Sequence, residues 1–183
     1  MPRQQKMDAV ALLKADHRKV EDLFEKFEKA RDKERKQALV KEICTELCIH
    51  TMIEEEIFYP ACTGKAENGT VDEAYVEHDG AKVLIAELLQ SDPDNEFYDA
   101  KVTVLSEDIK HHVKEEEKRG EGLFAQAKAA GLDLDALGER LMARKEELMV
   151  EFKDGDLPPL QTRSFTGHQL EQGKPVEAGT AAD

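Results

Sequence analysis

The stretch VKEICTELCIHTMIEEEI, residues 40–57, decides the fold. Val40, Ile43, Leu47, His50, Glu54 and Ile57 advance by alternating threes and fours, the spacing of one buried face of an α-helix. That face carries a histidine and a glutamate where a core wants aliphatic residues. Three further stretches repeat the pattern: Val10, Leu13, His17, Val20, Phe24 and Phe27; Ala74, His78, Ala81, Ile85 and Leu88; Val102, Leu105, Ile109, His112 and Glu116. Four such stripes specify an all-α, up-down-up-down four-helix bundle, because short links make sequential helices antiparallel neighbours.

Local signals set the expected boundaries. Asp8 is a good N-cap, so the first helix should run from there to about Arg31, and the second from Lys33 to Tyr59, where Pro60 stops it. Residues 62–70 (CTGKAENGT) read as a turn, 71–90 as the third helix, SDPDN at 91–95 as a break, and 96–118 as the fourth helix, ending before Gly120 and Gly122. An additional C-terminal helix from about Asp133 to Phe152 places Leu134, Leu137, Leu141, Leu148 and Met149 on one side and should pack outside the bundle. Residues 1–153 are thus expected to form the folded unit and 154–183 a flexible tail, because the tail is aperiodic and rich in Gly, Pro and polar residues. His168 in that tail is expected to be inert, and deleting the tail to leave helix content and metal uptake intact.

Composition narrows the function. A formal net charge of −14 over 183 residues repels the phosphates of nucleic acids and anionic membranes, so small neutral or redox-active ligands are the expected partners. No N-terminal secretory pattern and no run of about 20 apolar residues is present, which predicts a cytoplasmic protein. Cys44, Cys48 and Cys62 are odd in number and lack CxxC spacing, so reduced thiols are expected. Cys44 and Cys48 lie four apart, a spacing open to a metal site or redox pair, with packing as the plainer reading.

The six inward ionisable residues, His17, His50, Glu54, His78, His112 and Glu116, carry the chemistry. Burying such groups unpaired costs several kcal/mol each, so they need a strong partner, and a pair of metal ions is the simplest. His17 precedes His50 by 33 residues and His78 precedes His112 by 34, each second histidine being followed four residues later by a glutamate, as in a duplicated helical hairpin. At about 1.5 Å per residue the four histidines fall roughly 10–15 Å from one end of the bundle, in a single layer. Imidazole and carboxylate without thiolate suit iron, manganese or zinc, and two carboxylates could bridge a metal pair. His111 sits one residue off the seam and should be exposed. Glu55, Glu56, Glu115 and Glu117 read as solvated charge.

DHRKVEDLF around His17, HTMIEEEIFYP from His50, VEHDGAKVLIAEL around His78 and HHVKEEE from His111 resemble the hemerythrin-like, or HHE cation-binding, family over about residues 8–130. The resemblance implies a non-heme di-iron centre, oxo- or hydroxo-bridged, held by His17, His50, Glu54, His78, His112 and Glu116 with the glutamates bridging. Oxygen-carrying hemerythrins have a further histidine where this chain has Ala74, and an HxxxxD where it has His112-x-x-x-Glu116. Two histidines then remain per metal, leaving open positions. Tyr75 or Tyr59 could supply a further ligand or hydrogen-bond donor, with ordinary packing the favoured alternative. The implied function is handling or sensing of oxygen, peroxide, nitric oxide or iron and redox state. A binding or sensor module is placed ahead of a catalase-like enzyme decomposing hydrogen peroxide, and a metal-storing bundle after both.

Overall fold

The computed structural model describes residues 7–67, 69–153 and 157–166. Helix α1 (Ala9–Lys29) begins where Asp8 Oδ1 accepts from the Ala11 amide at 2.8 Å, and α2 (Lys33–Ile53) where Asp32 accepts from Arg35 N at 2.8 Å. Each cap satisfies an amide that has no partner inside its own helix. Helices α4 (Thr70–Gln90) and α5 (Tyr98–Glu117) complete a bundle in which α1 packs on α2 and α5, and α4 on α5 and α2. Among the described residues there is no strand.

Pro60 does not stop the second helix. The coil widens into a π-helical turn over Glu54–Phe58, where the Tyr59 amide bonds back to the Glu54 carbonyl, and continues as α3 (Tyr59–Cys62). A proline in a regular helix lacks a donor and its ring strikes the carbonyl four residues back; the wider turn just ahead of it makes room. The consequence lies in the core. Tyr59, expected to mark the end of a helix, is instead carried inward and is fully buried.

Two elements close the site end of the bundle. Short α6 (Leu123–Ala129), which the apolar spacing did not reveal, buries Leu123, Phe124 and Ala127. Helix α7 (Leu134–Glu151) lies along α1 and α2 and buries Leu137, Leu141 and Leu148, whereas Met149 of the expected stripe faces solvent. Gly138 is required there, since a Cβ would come within 2.4 Å of the Met7 carbonyl.

The apolar core divides into two clusters. One, including Leu12, Leu13, Ile53, Phe58, Phe124 and Leu141, plugs the end closed by α6 and α7; the other, including Phe24, Ile43, Leu47, Ile85 and Leu105, fills the far end. The polar layer lies between them.

Residues 157–166, expected to be free of the bundle, lie against it. Leu157 and Leu160 pack on the core, the Arg163 guanidinium sits 4.3 Å from the Tyr75 ring centroid, and Ser164 and Arg163 bond to Asp79. A fully buried carboxylate supplies the reason, since Asp79 needs donors that the helices alone do not provide in full. His168 lies outside the described residues.

Candidate metal centre

All six seam residues meet in one layer, and each is at most 5% exposed. The imidazoles converge in pairs: His17 Nε2 lies 3.1 Å from His50 Nε2, and His78 Nε2 lies 3.2 Å from His112 Nε2. The glutamates straddle the pairs. Glu54 Oε2 is 3.1 Å from His50 Nε2 and 3.3 Å from His78 Nε2, while Glu116 Oε2 is 3.5 Å from both His17 Nε2 and His112 Nε2. Donor atoms fall into two groups that could each hold a metal ion, one of His17, His50, Glu54 and Glu116, the other of Glu54, His78 and His112.

The donor chemistry fits metal ions. Glu54 Oε1 and Glu116 Oε2 are buried without any hydrogen-bond partner, which costs about 1–3 kcal/mol per group, more for charged oxygens, unless a cation satisfies them. The demand for positive charge shows in the side chains themselves. Burial would lower the His50 pKa, yet the Glu54 and Asp16 carboxylates push it up to about 10. Burial raises the Glu54 carboxyl, but His50 and His78 hold it well below the usual carboxylate range. His78 is raised in the same way, Glu54 and Glu55 outweighing burial.

Each histidine also has a carboxylate behind it, hydrogen-bonded to the ring in three of the four cases. Nδ1 of His17 meets Glu117 Oε1 at 2.8 Å, Nδ1 of His78 meets Glu55 Oε1 at 3.0 Å, and Nδ1 of His112 meets Glu77 Oε2 at 2.6 Å. His50 Nδ1 faces Asp16 Oδ2 at 3.6 Å, and Asp16 is itself paired with Lys145 from α7. Such carboxylates fix the ring so that Nε2 points inward, and they raise its basicity toward a metal. Glu55 and Glu117 are therefore not the solvated charges expected of them. Glu56 pairs with Arg144 on α7, while Glu115 is exposed as expected, and the His111 side chain is 63% exposed.

Sequence reasoning missed these four carboxylates, although a signal existed: each sits beside a ligand in the chain. Asp16 and Glu77 precede His17 and His78, and Glu55 and Glu117 follow Glu54 and Glu116. A residue rotated about 100° from the seam faces the adjoining helix rather than solvent. The pairing follows the internal duplication, since His17 with Glu117 corresponds to His78 with Glu55, and His50 with Asp16 to His112 with Glu77.

Two aromatic residues break that symmetry. The Tyr59 hydroxyl donates to Glu116 Oε1 at 2.9 Å and lies 3.2 Å from Glu54 Oε2 and 3.0 Å from His78 Nε2. Burial and both glutamates push its pKa well above the ordinary phenol value. On the other side Phe124 stacks on His17, with ring centroids 5.8 Å apart. Tyr59 thus departs from the packing role favoured for it, whereas Tyr75 keeps that role, its ring lying edge-on to Tyr59 at 5.3 Å and beneath Arg163. Cys44, Cys48 and Cys62 are buried free thiols, each pushed up to about 12 by burial.

A helical bundle with a buried layer of convergent imidazoles and carboxylates defines a class of cation-binding proteins. The chain belongs to the hemerythrin HHE cation binding domain family, whose profile matches residues 8–126. It is 28% identical over 145 residues to the uncharacterized protein Rv2633c of Mycobacterium tuberculosis, covering 78% of this chain and 88% of that one. It is 27% identical over 113 residues to a protein of Nostoc sp. named as a DNA nickase, covering 62% of this chain and only 32% of the Nostoc protein. Among solved structures, the hemerythrin HHE cation binding domain-containing protein of Mycobacterium kansasii, a homolog of Rv2633c, superposes with a TM-score of 0.66 at 24% identity, over 81% of this chain and 91% of that one. That likeness establishes the shared fold.

Proposed function

We propose that the protein is a non-heme di-iron protein that binds or senses oxygen, peroxide or nitric oxide, or reports iron and redox state. The observation that carries this reading is the bridging geometry: two buried glutamates, each with an oxygen lacking a hydrogen-bond partner, each reaching one histidine of either pair. His17 and His50 would hold one ion, His78 and His112 the other, with Glu54 and Glu116 between them and the Tyr59 oxygen in reach of the second. A pair of iron ions supplies the capacity to take up and return electrons beside a small bound molecule; manganese or zinc would fit the donors too. The carboxylates behind the rings hold the imidazoles in orientation, and Phe124 with the flanking apolar cluster excludes water from the His17 side.

A cavity of about 190 Å³ reaches His112 and Glu116 and has Ala74 in its wall, which favours reaction with a small ligand over a closed metal store. A catalase-like decomposition of hydrogen peroxide rests on the same access, and steady turnover of peroxide by the iron-loaded protein would separate it from a binding module. The name of the Nostoc protein does not carry over to this reading, since a net charge of −14 opposes docking on DNA or on an anionic membrane. The three free thiols fit a reducing cytoplasm. Iron-loaded ferric protein should change its absorption spectrum on adding hydrogen peroxide or azide, and Ala74→His should diminish the change. A loaded protein whose spectrum ignores both would contradict ligand access and leave metal storage.

A further inference from the structure

We propose that the cavity between the start of α4, the end of α5 and α6 is the port through which divalent metal ions reach the centre, drawn in by carboxylates on its rim. The inference rests on the metal-centre reading and adds its route of loading. Glu67, Glu73, Glu115 and Glu121 stand at the exposed mouth, while Glu77 and Glu116 lie deeper. Among the described residues of the lining, Lys118 is the one ammonium, and it is paired with Glu121 at 2.7 Å. Six carboxylates against one ammonium in a concave wall focus a negative field, the arrangement that raises the local concentration of cations and their rate of arrival.

Charge at a mouth does not by itself make a route, and the second observation is what lies at the bottom. Glu116 is 3% exposed, lines this cavity, and has Oε2 buried without a hydrogen-bond partner beside His112 Nε2. A cation passing the rim thus reaches the residue that carries an unsatisfied ligand atom. Ala74, whose side chain ends at Cβ, leaves the passage its width. Glu77 stands between rim and floor, with one oxygen on His112 Nδ1 and the other 3.4 Å from His111 Nε2.

The test follows cobaltous ion entering the metal-stripped protein by its visible absorption in stopped flow, at low and at high ionic strength. Three proteins are compared: the parent, a rim variant carrying Glu67→Gln, Glu73→Gln and Glu115→Gln, and a far-end variant carrying Asp22→Asn, Glu25→Gln and Glu28→Gln. None of the substituted residues belongs to the ligand layer, and both variants lose the same charge. The rim variant should load about tenfold more slowly at low salt, with its salt dependence flattened, while the far-end variant tracks the parent and all three reach the same final cobalt content. A rim variant that loads at the parent's rate, or a far-end variant that slows equally, overturns the port and leaves the metal centre standing. A parent that takes up no cobalt overturns both.

Discussion

At the scale of single residues, Tyr59 separates this centre from a plain set of histidines and glutamates. Its hydroxyl lies among Glu54, His78 and Glu116, on one side of an otherwise duplicated arrangement. If the layer holds ferric iron as proposed, the phenol oxygen could serve as a ligand and would then lend the spectrum a visible charge-transfer band. Tyr59→Phe should remove that band while the iron content holds; an unchanged visible spectrum in the variant would show that Tyr59 serves only as a hydrogen-bond donor. The six seam residues were legible in the sequence because each occupies a core position where a charge has no other justification. Tyr59 was legible only as one of two tyrosines that could approach the centre, and the four carboxylates only as neighbours of ligands in the chain, since their roles depend on how adjoining helices meet. Spacing along one helix specifies its own buried face, not which residues of the next helix will lie beside it.

At the scale of elements, helix limits followed closely from caps and breakers. The expectation for Pro60 failed because a π-helical turn lies outside what residue spacing conveys. That turn is also what brings Tyr59 inward while Glu54 stays on the seam. Helix α6 leaves no signal in the spacing because it has only seven residues, too few to establish a period. The segment 157–166 shows the converse, since a stretch without period still docks on the bundle. Asp79 Oδ2 accepts from the Arg163 amide at 2.7 Å, the Ser164 amide at 2.6 Å and Ser164 Oγ at 2.7 Å. Burial raises the Asp79 carboxyl, and these bonds together with Lys82 overcome it. Lys82 in turn reaches Glu55, the carboxylate behind His78, so the segment is tied to the metal layer. A chain ending at Lys153 leaves Asp79 short of donors, at a cost of about 1–3 kcal/mol. Its Tm should fall by roughly 2–4 °C for each of those kcal/mol, and an unchanged Tm would show that the docked segment contributes nothing.

At the scale of the whole molecule, the bundle holds a layer of charge between two apolar clusters, an arrangement costly without a cation. The arrangement couples metal uptake to pH. Metal ligands must be deprotonated, yet Glu54 and Asp16 outweigh burial and push His50 up to about 10, so its imidazole carries a proton at neutral pH until a metal takes its place. Uptake should therefore release protons at neutral pH and weaken as pH falls, because each step down makes the proton harder to displace. An indicator dye in weak buffer reads this directly, and metal uptake without proton release at neutral pH would contradict the charge assignment.

The fold was legible because four stripes of the same period permit few other packings, and the family membership agrees with it. On the proposed reading this layer holds two ions. Elemental analysis of the protein after anaerobic reconstitution with ferrous iron and removal of excess metal tests that most directly. The expected result is two irons per chain, one for each donor group; a reproducible value near one or near zero would contradict a dinuclear centre.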